Sequence, residues 1–317
     1  MNIKGTYKSN DTEEWLDIIF NRPIGYLWAR FFALVGIHPN TVTLLSMALG
    51  AIAGIMFGFN ADSPQGLLYN LIGVALLMLS NFYDSADGQL ARMTNQKTEL
   101  GRILDGASAD VCYAFIYVAL GIRLQDDPLP VPISLFGYEQ IHWGIFAWVL
   151  CVVCGLICHT SQCRLSDYYR NIHLYFIKAG NEFDHADEQA RKYDEMPWKG
   201  HFISKFFQWF YKHYTHAQES ATPHFQMLWK QLRTTYGTDI PQEFCDEFRR
   251  RSLPLMKYTN FLTFNSRAIA LYVTALFDCP WVYLLFEAIV LSLVYFYMHY
   301  RHEKFSRELL EEFHLTA

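Results

Sequence analysis

The chain has 317 residues, 52% of them hydrophobic and 17% aromatic, with a mean hydropathy of +0.05 and a formal net charge of −5. Those values are too apolar for an ordinary soluble enzyme and too polar for a pure membrane bundle, so they leave a mixed protein with membrane helices and a sizeable polar part. The acidic balance argues against a nucleic-acid partner, which calls for a basic surplus.

The chain opens with residues 1–35, a polar arm leading into TEEWLDIIFNRPIGYLWARFFALV. Trp15, Leu16, Ile19, Phe20, Trp28, Phe31 and Phe32 with Arg22 and Arg30 suit a helix lying at a membrane interface, broken near Pro23. No cleavable signal peptide is visible in this stretch.

A helix needs about 20 mostly apolar residues to cross the hydrocarbon layer. Six segments approach that length: 41–60, 66–84, 107–124, 141–160, 262–278 and 280–299. Gly50, Gly54 and Gly58 fall at i, i+4, i+8 in the first, a stripe for close helix packing. Residues 36–163 thus hold four spans, 164–260 a polar, aromatic-rich helical insertion, and 261–317 two more spans and a tail. The expected fold is all-α: a polytopic six-helix transmembrane bundle with an N-terminal interfacial helix and a cytoplasmic helical insertion. In that topology 24 of the 26 Lys and Arg residues lie on one side, which predicts both termini and the 85–106 connection in the cytoplasm.

The seven cysteines lie mostly in or beside apolar runs without the spacing of a disulfide framework, and read as reduced thiols. The histidines of the insertion, His213 and His216 at i, i+3 among them, read as surface or packing residues rather than zinc ligands.

At the cytoplasmic end of the second span the sequence runs NFYDSADGQLARMTNQKTELGRILDGASAD, residues 81–110. Aspartates beside a membrane are costly, and several together repel one another unless a cation holds them. Asp84 and Asp87, one helical turn apart, can clasp a hard divalent ion such as Mg²⁺. Gly88 and Ala91 leave room for a bulky ligand, Arg92 offers a fork for phosphate, and Asp105 on a facing helix would complete the site. Acidic intramembrane residues also mark ion pathways, but Glu287 is the one exception among otherwise nearly acid-free spans 1, 4 and 6.

The run Asp84-x-x-Asp87-Gly88-x-x-Ala91-Arg92, followed by Gly101 and Asp105, resembles the signature of the CDP-alcohol phosphotransferases. Pro39-Asn40-x-x-Thr43 is similar to the start of that family's first transmembrane helix. The resemblance covers about residues 30–160 and, more loosely, 260–300. It implies two divalent cations, Mg²⁺ or Mn²⁺, held by Asp84, Asp87, Asp105 and a fourth aspartate, with Asp84, Gly88, Ala91, Arg92 and Gly101 along the nucleotide. That fourth aspartate is the family's proposed general base. Here position 109 is Ala and the aspartate is Asp110. On a straight helix i+5 lies about 140° from i, whereas i+4 lies about 40° away. A π-bulge eased by Gly106 or Ser108 would restore the face and keep Asp110 in the site; otherwise the base comes from elsewhere or activity is lost.

The resemblance further implies an integral-membrane phosphotransferase acting on a CDP-alcohol lipid donor and a polar alcohol acceptor, with release of CMP, and a homodimer through the transmembrane helices. CDP-diacylglycerol with inositol, inositol phosphate or glycerol phosphate is the expected pair. A CDP-headgroup donor with a lipid or sphingolipid alcohol, and a catalytically impaired lipid-binding homologue, are the alternatives. Arg164, Arg170 and Arg267 are candidates for an acceptor phosphate, with snorkelling to the interface the competing role.

Overall fold

The computed structural model describes residues 9, 11–130, 141–177 and 183–315. The chain divides into two compact units, one of Trp15–Ser161 and Phe264–Ser292, the other of Asn2–Glu14, Gln162–Thr263 and Leu293–Ala317. The described residues form helices and no strand, as an all-α polytopic fold requires. Five helices among them are long and apolar enough to cross a membrane: Pro39–Met56, Pro64–Met93, Leu100–Leu124, Ile145–Phe176 and Pro280–Glu312.

In the first unit, α1 (Arg22–Val35) follows a π turn, Asp17–Asn21. The break expected at Pro23 is therefore absent. Proline removes a hydrogen bond and crowds the carbonyl four residues back, and the wider turn just before it absorbs both effects without ending the helix. Gly36, at φ 75°, stops α1 in the left-handed conformation. α2 (Pro39–Met56) begins with proline at its first position, where a missing N–H costs nothing.

α3 (Pro64–Met93) is capped by Ser63, whose hydroxyl accepts from the Gly66 N–H, and α4 (Glu99–Leu124) by Thr98 accepting from Gly101. α2 packs on both. A Cβ at Gly50 would come within 2.1 Å of Cys112 Sγ, and one at Gly54 within 2.9 Å of the Ile116 backbone nitrogen, so the glycine stripe is what lets α2 and α4 touch. Phe57, Leu77, Tyr113, Ile116 and Leu120 fill the core with Leu271 and Tyr283. α1 lies against α3 through Trp28 and Phe32, whose rings stand 4.9 and 5.1 Å from that of Tyr83.

The stretch predicted as the fifth span, 262–278, forms a shorter helix, α12 (Phe264–Leu276). Thirteen residues rise about 20 Å, against about 30 Å of hydrocarbon, so α12 does not match the length of the other five. The fourth and last spans are instead longer than predicted. α5 (Ile145–Val152) passes through a π turn, Val153–His159, into α6 (Thr160–Phe176), and α13 (Pro280–Leu285) through a second, Phe286–Leu291, into α14 (Ser292–Glu312). Arg123 is buried: its guanidinium donates to the Phe57 carbonyl and the Asn70 side chain and pairs with Asp278.

The second unit holds α7 (Ala186–Glu195), α8 (Phe202–Ala221), α9 (Pro223–Tyr236), α10 (Gln242–Ser252) and α11 (Met256–Phe261). Phe176, Phe225, Phe244 and Phe248 are fully buried there, with Phe176 and Phe248 stacked at 4.0 Å.

Candidate active site

α3 continues past the apolar segment to Met93, so Asp84 and Asp87 stand on regular helix, one turn apart. Asn95, at φ 55°, helps turn the chain, and ten residues later Asp105 rides on the second turn of α4. The carboxylate oxygens of Asp84, Asp87 and Asp105 come within 4.8 Å of one another. Two of them are held by hydroxyls from a different helix. Thr43 on α2 donates its hydroxyl to Asp87 Oδ2, and Ser108 donates to Asp84 Oδ1 at 2.6 Å. Asp87 is buried, Asp84 half-buried and Asp105 exposed, so the cluster grades from the helix packing to solvent.

The glycines divide into two kinds. A Cβ on Gly101 would stand 2.7 Å from Asn40 Oδ1, and Thr98 also donates to that oxygen, so Gly101 is a packing requirement of the α2–α4 contact. Beside Gly88 the nearest atom to such a Cβ is Arg92 Nη1 at 3.5 Å, and at Gly106 nothing lies within 4 Å. Those two positions leave open space next to the carboxylates. Three oxygen donors of one sign, gathered from two helices and flanked by free volume, fit a hard divalent cation. Ala91 and Arg92 follow on α3, both half-buried.

Asp110 is elsewhere. α4 is regular α-helix throughout, and the predicted π-bulge at Gly106 or Ser108 is not present. The i+5 offset therefore stands, and Asp110 is not one of the three converging aspartates. It is half-exposed, with Oδ1 3.2 Å from His159 Nε2. His159 is buried at the end of a π turn, and its Nδ1 lies 3.6 Å from Glu287 Oε1, itself on the other π turn. Tyr117 donates to Glu287 Oε2 at 2.6 Å, and Arg267 Nε donates to Oε1 at 3.3 Å. The widened turns fall where a histidine and a glutamate are turned inward, rather than under the aspartates.

The sequence reading missed Thr43, Ser108 and His159 as partners of the aspartates. Thr43 had a signal, since it closes the Pro39-Asn40-x-x-Thr43 run. His159 had none, because 49 residues separate it from Asp110 and no motif links the two. Of the three arginines named for an acceptor phosphate, Arg267 is buried in the first unit against Glu287. Arg164 and Arg170 belong to the second unit, where Arg170 donates to Asn260 at 3.0 Å.

Residues 36–165 match the family model of CDP-alcohol phosphatidyltransferase. The chain is also 34% identical over 95 residues to an uncharacterised protein of Aquifex aeolicus, covering 30% of this chain and 44% of that one. It is 28% identical over 99 residues to choline/ethanolaminephosphotransferase 1 of Arabidopsis thaliana, covering 30% of this chain and 25% of that protein. The matches thus span less than half the length of either relative. No solved structure matches.

Proposed function

We propose that this chain, with a CDP-alcohol phosphatidyltransferase domain at residues 36–165, is an integral-membrane enzyme that moves the phosphatidyl group of CDP-diacylglycerol to a polar alcohol and releases CMP. Inositol, inositol phosphate and glycerol phosphate are the acceptors in view. The observation that carries the reading is the convergence of Asp84, Asp87 and Asp105, from two helices, inside the matched stretch.

The hydroxyl oxygen of the acceptor attacks the β-phosphorus; a phosphodiester bond forms, the bond to the bridging pyrophosphate oxygen breaks, and CMP leaves with the electron pair. The acceptor proton passes to a carboxylate base, for which Asp110, set off the face of the three converging aspartates and held by His159, is the residue under test. Asp84, Asp87 and Asp105 would hold Mg²⁺ or Mn²⁺, which neutralises charge on the pyrophosphate when bound. Thr43 and Ser108 fix the carboxylates that face it, and a fixed ligand loses less freedom on binding. Gly88 and Ala91 admit the nucleotide along α3, where Arg92 offers a planar fork to a phosphate. His159 stands between Asp110 and Glu287 and fixes the Asp110 carboxylate.

The excess of Lys and Arg on one side supports a cytoplasmic site and termini, where a soluble alcohol meets a lipid at the boundary. A homodimer through the transmembrane helices belongs to the same reading and is tested by mass measurement in detergent. The likeness to choline/ethanolaminephosphotransferase 1 supports a second reading, a CDP-headgroup donor with a lipid alcohol.

Purified protein with Mg²⁺ or Mn²⁺, given CDP-diacylglycerol and a panel of polar alcohols, or CDP-choline and CDP-ethanolamine with diacylglycerol, separates the two by CMP release. CMP with the first donor and a polar alcohol is expected. Nucleotide binding without CMP from any pair would overturn an enzymatic role.

A further inference from the structure

α8 is built inside out. Its inward face carries Lys205, Gln208, Thr215 and Gln218, all at least nine-tenths buried. Each is satisfied by polar partners: Gln208 donates to Gln189 Oε1 at 2.8 Å, Gln218 to the Arg164 carbonyl at 3.0 Å, Thr215 to the Tyr211 carbonyl at 3.1 Å, and Lys205 Nζ to the Met196 carbonyl. The outward face carries Phe202, Phe206, Trp209 and Phe210, between 42% and 66% exposed. They fall at i, i+4, i+7 and i+8 and so form one stripe. Trp198, in the turn before the helix, extends it. A helix packed against water puts its aromatic face inward; one packed against lipid does the reverse. α5 exposes Ile145, Phe146 and Val149 in the same manner, and it belongs to a membrane-length helix.

Charge at the start of the stripe favours the same occupant. From Met196 to Gln218 the sequence has no acidic residue, and of its three lysines Lys199 is exposed beside Trp198, Lys205 is turned inward and Lys212 lies 3.8 Å from Asp194. Exposed tryptophan and phenylalanine bordered by lysine is the composition of a segment at the acyl–headgroup boundary, attracted to anionic lipid. The helix is about 30 Å long, and four exposed aromatic rings on one face exceed what a water-facing helix leaves uncovered.

We propose that α8 is a membrane-surface helix, its Phe202–Phe210 stripe set among the acyl chains of the bilayer that carries the protein, with Lys199 at the headgroups. The inference is independent of the enzymatic reading. The test places p-benzoylphenylalanine at Phe206, or at Phe202 as a second position, in the full chain. The control is Thr235, exposed on α9. Each protein is reconstituted in nanodiscs of phosphatidylcholine and phosphatidylserine, irradiated, and its peptides weighed. A lipid-mass adduct at 206 or 202 several-fold above that at 235 is expected. A cross-link to a second copy of the chain, or lipid adducts no greater than at 235, would overturn the proposal.

Discussion

His159 Nε2 stands 3.2 Å from Asp110 Oδ1, so the aspartate displaced by one residue on α4 is met by a histidine from a different helix. Asp110→Asn is expected to lower turnover on the order of 10²- to 10⁴-fold, the range for removing a general base, while leaving nucleotide binding intact. His159→Gln acts through positioning, with kcat reduced roughly 10- to 100-fold, KM for the CDP-alcohol unchanged and the pH profile shifted. CMP release across pH measures both. A full rate in Asp110→Asn would place the base elsewhere.

Asp87→Asn and Asp105→Asn are expected to weaken divalent-ion binding and nucleotide binding together, since both remove a converging oxygen. Thr43→Val removes the hydroxyl that holds Asp87 and should cost about 10- to 100-fold in Mn²⁺ affinity without removing a ligand. Titration of Mn²⁺ followed by electron paramagnetic resonance reads all three. Unchanged affinity in Thr43→Val would mean that Asp87 is held without it.

Gly54→Val tests the α2–α4 contact. The new Cβ would press on the Ile116 backbone at 2.9 Å, and backbone cannot swing aside as a side chain can. A loss of about 1–3 kcal/mol is expected, seen as a lower unfolding temperature in detergent. Gly106→Ala, beside open space, should leave stability within about 0.5 kcal/mol of the parent.

Arg267 and Glu287 are both fully buried, and removing one partner leaves an uncompensated charge. Arg267→Met alone should destabilise by about 3–5 kcal/mol. Arg267→Met combined with Glu287→Leu should recover part of that loss. Thermal unfolding of the two variants decides the matter, and a double variant weaker than the single one would show that Glu287 is needed by His159 and Tyr117 more than by Arg267.

In the second unit, hydrogen bonds from Arg250 and then Arg251 hold the Glu247 carboxyl down at about 2. The folded form therefore gives up its proton at a lower pH than the unfolded chain, whose ordinary value is about 4.3. The pairing contributes stability above that unfolded value and loses it as pH falls through about 2. Because Arg250, the first of these partners, is largely solvated, the size is about 1 kcal/mol or less. Glu247→Gln should unfold earlier than the parent at pH 6 and together with it near pH 2. An equal gap at both would refute the ion-pair origin.

Much of the site was legible because its parts are local. Asp84 and Asp87 share a helix face by spacing alone, Asp105 follows after a short polar turn, and Gly50, Gly54 and Gly58 state a close contact by their period. The five long apolar helices follow from composition in the same way. The misjudged pieces share another feature. The chemistry of Pro23 alone argues for a break, and the widening of the preceding turn is not written in that one residue. The extra residue before Asp110 was expected to be absorbed under the aspartates for the same local reason.

By itself the sequence determined which residues could chelate a cation and which segments could enter a membrane, because both depend on contacts within a few turns of one helix. Tertiary structure alone decided that Thr43 holds Asp87, that Asp110 turns to His159, that Arg267 is spent on Glu287, and that α8 faces its aromatic side outward. Those pairs lie 20 to 49 residues apart in sequence, and the polarity of α8 depends on which neighbours bury its glutamines. Burial is a property of packed surfaces, and no single segment encodes it.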